Sequence, residues 1–163
     1  MSILILNQTV CSLCGNALRE GENILNIPAF VINIKEPIYF FSDNNFHKDC
    51  LLKHPLGEKV IKYSNLFIEQ TRPENRICIV SKELITHFEN HLFIEFLTSK
   101  EEDFLQQFNF IHINRKYIPI WESKNEFLNS LKHLKSSTKW KEDPSIKFVY
   151  LDGLINELSR FNT

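Results

Sequence analysis

Hydrophobic residues occur in short runs separated by polar turns, and this pattern predicts a chain of small strands and helices. Apolar runs with polar flanks predict strands over 1–10, 24–32, 38–41, 77–80 and 92–97. The polar residues 33–37 predict a hairpin connection between the second and third of these runs. Two further runs, 110–113 and 117–120, predict a hairpin around 114–116.

Apolar residues at helical spacing predict helices in both halves of the chain. Residues 47–53 form a first helix, which Pro55 ends because proline cannot continue it, and 56–69 form a second. Capping boxes begin two more helices, at Ser99 with Glu102 and at Ser123 with Glu126. The apolar stripes of the last two helices are Phe127, Leu128, Leu131 and Leu134, then Leu151, Leu154, Ile155 and Leu158.

Composition and length are those of a folded globular body. The chain has 163 residues, of which 43% are hydrophobic and 24% charged. The polar segment 70–75 predicts a linker between a unit at 1–70 and a unit at 76–163, which we expect to pack together. The predicted fold class is α+β.

The charge pattern excludes a protein that attracts polyanions over its whole surface. The formal net charge is -1 and the pI is about 6.6, so any contact with nucleic acid must be local. The apolar N-terminal run is too short for a signal sequence or a membrane span. We therefore expect a cytoplasmic protein with no membrane partner, whose four cysteines are metal ligands or free thiols. Abundant Lys, Asn and Ile indicate an AT-rich, bacterial coding sequence.

Two pairs of metal-ligand residues share one spacing. Cys11 and Cys14 precede Gly15 in a predicted turn, and His47 and Cys50 begin a predicted helix. This spacing lets both side chains of a pair reach one ion, and Zn²⁺ prefers four nitrogen or sulfur ligands. Four protein ligands leave no position for a substrate water, so we expect one structural Zn²⁺. The alternatives are small buried thiols and a redox Cys-x2-Cys pair.

Residues 11–53 resemble a treble-clef zinc finger. Two ligands lie in a predicted turn, a hairpin follows, and two more ligands lie at the start of a helix. The segment 46–50 is similar to the end of the first zinc module of a LIM domain. No second Cys-x2-Cys pair follows Cys50, so the chain departs from the LIM and RING patterns and ubiquitin-ligase activity is not implied. The resemblance implies an N-terminal zinc-bound treble clef packed on a second, metal-free α/β half with two C-terminal amphipathic helices.

An alignment of the chain with itself predicts a degenerate second copy of this unit, beginning at Cys78. Cys78 and Ser81 align with the first ligand pair, and a shift of about two residues places His112 and Arg115 at the second pair. Two remaining ligands cannot hold a structural zinc. This copy would therefore depend on apolar packing by Phe93, Phe96, Phe104, Phe108 and Trp121.

The segment 83–92 also fits a helix. His87 and His91 would then be one turn apart and, with Cys78 or His112, could form a second metal site; the alternative is that they face solvent. His112 is also the candidate catalytic histidine of a metal-dependent nuclease, although no acid or Asn pattern accompanies it. We assign no catalytic residue.

Basic residues are concentrated between 115 and 147, and two tryptophans lie among them. Basic side chains interleaved with aromatic rings can follow a phosphate backbone and stack on bases. The candidate nucleic-acid-binding residues are Arg115, Lys116, Lys132, Lys135, Lys139, Trp140 and Lys141. The alternative is a solvated helix face opposite a leucine stripe.

These observations together favour a non-enzymatic protein whose zinc orders a surface that binds another protein. An accessory subunit, a regulator and a toxin-neutralising, immunity-type protein all fit this description. A nucleic-acid-binding module and a metal-dependent nuclease are the two alternative functions.

Overall fold

Two short antiparallel hairpins organise the chain. The computed structural model describes residues 3–144 and 149–161. The strand pairs are β1 (Ile24–Ile27) with β2 (Asn44–His47), and β3 (His91–Ile94) with β4 (Ile111–Asn114). Each pair is a separate sheet. A two-stranded sheet is at best marginally stable in water, so both hairpins depend on what packs against them.

Four α-helices and several 3-10 helices surround the hairpins in the part of the chain that the structure describes. The α-helices are α1 (Lys48–Lys53), α2 (Gly57–Gln70), α3 (Lys124–Ser136) and α4 (Tyr150–Ser159). The 3-10 helices are Tyr39–Phe41, Pro73–Asn75, Phe88–Asn90, Phe104–Phe108 and Arg115–Ile120.

The two N-terminal α-helices confirm the predicted break between them. α1 follows β2 directly and stops before Pro55, which has no N–H to continue the helix. α2 buries Val60 and Tyr63 on one face. A Cβ at Gly57 would overlap the carbonyl oxygen of Leu51, so the sharp turn from α1 into α2 depends on a residue without a side chain.

The two C-terminal α-helices confirm the predicted stripes. Phe127, Leu128 and Leu131 of α3 are buried, and α4 buries its four predicted leucine and isoleucine residues. α3 and α4 pack against each other. Both stripes thus face one core, as their helical spacing requires.

The strand predictions for the N-terminal half are partly wrong. Within the described part of 1–10 the chain forms turns and a single bridge from Val10 to Ala17, and residues 1–2 lie outside the described residues. Residues 38–41 contain a 3-10 helix, and the strand that pairs with β1 is the more polar segment 44–47. Such short apolar runs do not distinguish a strand from a buried helical turn.

The C-terminal half requires similar corrections. Residues 77–80 form only isolated bridges, and 83–92 is not a helix apart from a 3-10 turn at its end. β4 pairs with β3, so residues 117–120 are not its partner and lie in a 3-10 helix. Ser99 does not cap a helix; the Asp103 side chain does so, accepting the Leu105 N–H.

The buried side chains form two clusters that interlock. The N-terminal core includes Phe30, Phe41, Phe46 and Leu51 and also takes in Phe96 and Phe110 from the second half of the chain. The C-terminal core gathers side chains of β3, β4, α3 and α4 and takes in Ile32 from the first half. The Phe30 and Phe96 rings meet edge to face at 5.7 Å. Burying one such ring contributes about 1.5–3 kcal/mol, so the exchange ties the two halves together.

Buried polar contacts also join the halves. The Glu36 carboxylate accepts hydrogen bonds from the backbone N–H and the hydroxyl of Ser99 at 3.0 and 2.8 Å. Asn33 accepts the Lys141 N–H and donates to the Lys139 carbonyl. The fold is therefore mixed α and β, as predicted, and the division into units 1–70 and 76–163 stays a prediction. Among the described residues no helix is both long and apolar enough to cross a bilayer.

Candidate metal centre

The four predicted metal ligands come together in space. Cys11 and Cys14 lie in the turn that the Val10–Ala17 bridge closes, and Gly15 has the positive φ of 74° that this turn requires. His47 is the last residue of β2, and Cys50 is in the first turn of α1. One nitrogen or sulfur atom from each side chain lies within 4.8 Å of the others. The cluster can therefore hold a metal ion.

The distances within the cluster suit tetrahedral coordination. The Nδ1 atom of His47 lies 3.4 Å from the Cys14 Sγ and 3.9 Å from the Cys50 Sγ. Bonds of about 2.3 Å to sulfur and about 2.0–2.1 Å to nitrogen imply a nitrogen-to-sulfur separation of about 3.6 Å in a tetrahedron. These two separations thus match tetrahedral coordination, and the remaining ones are no longer than 4.8 Å.

An outer carboxylate orients the histidine. The Glu22 Oε2 lies 3.1 Å from the Nε2 of His47 and also accepts the Arg19 N–H at 2.7 Å. A proton held on Nε2 by this contact leaves the Nδ1 lone pair directed at the sulfur atoms. Sequence reasoning missed Glu22, because no fixed spacing relates an outer carboxylate to the ligand that it orients.

The cluster shifts the pKa values of its own members. Burial acts to raise the pKa of the Cys11 thiol, but backbone N–H groups of Cys14 and His47 outweigh it and lower that pKa to about 6. Burial acts to lower the pKa of His47, yet hydrogen bonds to Cys14 and Cys11 raise it to about 9. Burial and the neighbouring thiols raise the pKa of Cys50 to about 11. Adjacent thiolates repel one another, and a bound cation stabilises them all together.

The other histidines do not join a metal cluster. Within residues 3–144 and 149–161, the four side chains above are the only group of His, Cys, Asp and Glu close enough to hold an ion. The predicted pairing of His87 with His91 on a helix is wrong, because His87 projects into solvent and pairs with Glu89 at 3.3 Å. His91 lies in β3 and contacts His112.

His112 is buried and both of its ring nitrogens are engaged. Its Nδ1 lies 2.8 Å from the His91 Nε2, and its Nε2 lies 2.9 Å from the Gln70 carbonyl. Burial lowers the pKa of His91 to about 4 and also lowers that of His112. A general base needs a free nitrogen within reach of a substrate, which this arrangement does not offer.

The candidate nucleic-acid residues divide into two groups. Three are engaged within the protein: Arg115 pairs with Glu157 at 2.8 Å, Lys135 pairs with Asp152, and the Trp140 ring stacks near Tyr150. The other four, Lys116, Lys132, Lys139 and Lys141, are exposed, and so is Lys135. Residues 145–147 of the predicted basic region lie outside the described residues. Nucleic-acid binding by this region stays a prediction.

Comparison with protein-family models, with curated proteins and with solved structures yields no significant match to this chain. The class of site is thus defined by geometry alone: three cysteines and one histidine that can bind one metal ion.

Proposed function

We propose that the cluster binds one structural Zn²⁺ and that residues 11–53 are a treble-clef zinc finger. The donor set supports zinc, because three thiolates and one imidazole at tetrahedral spacing are its usual structural ligands. The order of turn, hairpin and helix start supports the treble clef. Four protein ligands complete the coordination shell, which favours a structural role over catalysis.

Metal analysis tests this proposal directly. We expect one equivalent of zinc per purified chain by mass spectrometry of the metal content. Replacement by Co²⁺ should give the visible absorption bands of a tetrahedral thiolate site. A chain that folds with no bound metal, or that holds iron in place of zinc, would contradict the proposal.

The protein is, in this proposal, a non-enzymatic module that binds another protein. The observation that carries this step is the exposure of large apolar side chains in the second half. Phe88 is 81% exposed and Ile120 is 68% exposed, and the bridge partners Ile77 and Leu84 are about half exposed. Contiguous exposed apolar side chains are typical of contact surfaces, and Ile77 and Leu84 are neighbours across their bridge.

An affinity purification from the native host tests the partner class. The tagged wild type should retain a stoichiometric protein after nuclease treatment, and Phe88→Ser should release it. Ile68→Ser is the matched control, because Ile68 is an exposed apolar residue on α2, away from residues 77–120 in sequence. Loss of the partner on nuclease treatment, with recovery of nucleic acid, would favour the exposed lysines as the contact surface. Retention of the partner by Phe88→Ser would exclude Phe88 as its anchor.

A further inference from the structure

Residues 9–70 (the first unit) and 76–137 (the second unit) have the same element order at a constant separation of 67 residues, as from Cys11 to Cys78. β1 and β2 correspond to β3 and β4 with the same register, Ile24 opposite His47 and His91 opposite Asn114. α1 corresponds to the 3-10 helix Arg115–Ile120, and α2 to α3. No insertion or deletion interrupts the match.

Backbone contacts of the two turns match at the same separation. In each unit a bridge closes the turn, the first cysteine N–H donates across it, and a second N–H donates back to the cysteine carbonyl. The matched pairs are the bridges Val10–Ala17 and Ile77–Leu84, the bonds Cys11 to Asn16 and Cys78 to Glu83, and the bonds Gly15 to Cys11 and Lys82 to Cys78.

Two of the three positive-φ residues of the first unit have a counterpart in the second; Gly21 has none, because Phe88 begins a 3-10 helix. Gly15 and Lys82 both have positive φ, at 74° and 61°, and so do Asp43 and Phe110, at 58° and 59°. A left-handed conformation is rare for a bulky residue such as Phe110. Asp43 has the same conformation at the equivalent position of the first unit. The backbone arrangement that the two units share, and not the side chain, therefore imposes this conformation.

The sulfur contacts extend this match to the metal site. The His47 N–H lies 3.4 Å from the Cys11 Sγ, and the Asn114 N–H lies 3.3 Å from the Cys78 Sγ. The amide of the second ligand pair thus donates to the first sulfur in both units. Cys78 is completely buried, as Cys11 is.

We infer that the second unit is a copy of the metal-binding unit in which three of the four ligands have been replaced. Cys78, Ser81, Asn114 and Tyr117 stand where Cys11, Cys14, His47 and Cys50 stand in the first unit. The predicted shift of two residues is wrong, because His112 corresponds to Asn45 and Arg115 to Lys48. The inference rests on backbone geometry and on the metal site proposed for the first unit, and it does not depend on the protein-binding proposal.

Other protein contacts in the second unit stand in place of the ion proposed for the first. The Cys78 sulfur accepts the N–H groups of Ser81 and Asn114, but the Cys11 sulfur has the same bonds from Cys14 and His47, so these bonds are common to both units. The Arg115 guanidinium donates to the carbonyl oxygens of Glu89 and His91 and pairs with Glu157 of α4. α4 has no counterpart within the first unit, and its apolar side chains join the core of the second.

Restoring the ligands tests the inference. We expect the variant with Ser81→Cys, Asn114→His and Tyr117→Cys to bind one metal equivalent more than the wild type. The Co²⁺ absorption should rise about twofold if the wild type binds one ion, in proportion to the added thiolate site. A folded triple variant with the wild-type metal content would overturn the inference.

A matched control uses the shifted alignment. Ser81→Cys with Arg115→Cys, beside the native Cys78 and His112, presents the same four ligand types at the positions that a shift of two residues predicts. We expect this variant to gain no metal. If this variant gained a metal ion and the triple variant did not, the constant separation between equivalent positions of the two units would be wrong.

A near-isosteric single variant keeps the inference testable if the triple variant does not fold. Ser81→Cys should place a second thiol beside Cys78, as Cys14 lies beside Cys11. We expect the zinc-loaded variant to bind one more equivalent of phenylarsine oxide, which bridges adjacent thiols, than the wild type does. Ser81→Cys with Cys78→Ser should not bind the additional equivalent. An unchanged equivalent count in folded Ser81→Cys would contradict the inference.

Discussion

The first and second units share one backbone frame but stabilise it by different chemistry. In the first, three thiols and an imidazole converge on one point that can hold an ion. In the second, only one thiol remains, an arginine ties the hairpin to α4, and a further helix enlarges the core. The same backbone arrangement of turn, hairpin and short helix can therefore be stabilised in two different ways.

The comparison shows which parts of the unit persist when three of the four ligand side chains are absent. The turn, its bridge and its left-handed residue persist in the second unit, where the ligands are absent. The helix after the second strand is α-helical in the first unit and 3-10 in the second, where Pro119 lies inside it. The turn is thus set by backbone contacts, whereas the helix that follows differs between the units.

The largest difference is expected from removing a ligand. Cys50→Ser should abolish tight metal binding and lower the free energy of unfolding by about 4 kcal/mol, because binding of a structural ion is coupled to folding. Tyr117→Phe, at the equivalent position, removes a hydroxyl 3.4 Å from Glu83 and should change stability by less than about 0.5 kcal/mol. Metal content and chemical denaturation of both variants measure the contrast. Full metal occupancy in Cys50→Ser with unchanged unfolding would refute the ligand set.

A smaller loss is expected from the arginine that holds the second hairpin. Arg115→Met removes a pair with Glu157 and two bonds to carbonyl oxygens, and should cost about 2 kcal/mol. Lys48 occupies the equivalent position and is exposed, so Lys48→Met should be neutral within about 0.5 kcal/mol. Urea unfolding of the two variants compares them. Equal effects would mean that Arg115 does not replace the ion as a support.

The outer carboxylate should affect metal affinity and little else. Glu22→Ala removes the contact that orients His47 and should weaken metal binding about 10-fold. Glu89 is the equivalent residue in the second unit, and Glu89→Ala should leave the affinity unchanged. Competition with a chromophoric chelator measures both variants. If the two substitutions weaken binding equally, the contact between Glu22 and His47 has no role in affinity.

The last contrast concerns pH. Burial lowers the pKa of His91 to about 4, so the folded state holds His91 neutral beside His112, Arg76 and Arg115. A folded pKa below the unfolded value of about 6.5 means that this stability is present above about pH 6.5 and is lost as the pH falls toward 4. One group gives a slope of at most about 1.4 kcal/mol per pH unit.

Urea titrations at several pH values measure this effect. The fall in stability between about pH 6 and pH 4.5 should be shallower in His91→Gln than in the wild type. His87→Gln should keep the wild-type slope, because His87 is exposed. Both variants carry the same metal site, so its own pH dependence cancels. A wild-type slope in His91→Gln would show that His91 is not the responsible group.

Sequence patterns predicted the ligands and the long helices because both are local. A Cys-x2-Cys or His-x2-Cys spacing already fixes which side chains can chelate one ion, and the stripe of α4 follows from helical periodicity. Residues 38–41 were predicted as a strand because a short apolar run looks the same in a strand and in a buried 3-10 turn. Glu22 was missed because its partner is distant in sequence.

The correspondence proposed between the two units shows the same limit of local sequence patterns. Cys78, Glu89 and Asn90 match Cys11, Glu22 and Asn23 in the sequence. Few other positions are identical, so a shift of two residues placed His112 at a ligand position. In the structure His47 lies opposite Ile24, and Asn114 lies opposite His91. The residue equivalent to His47 is therefore Asn114 and not His112.

The sequence by itself determined the kinds of ligand, their spacing and the apolar faces of α3 and α4, because each depends on residues within a turn or two of one another. The tertiary structure confirmed that the two predicted ligand pairs meet, and it alone decided that Glu22 orients His47 and which residues of the two units correspond. These features depend on contacts between residues far apart in the chain, which local patterns do not encode.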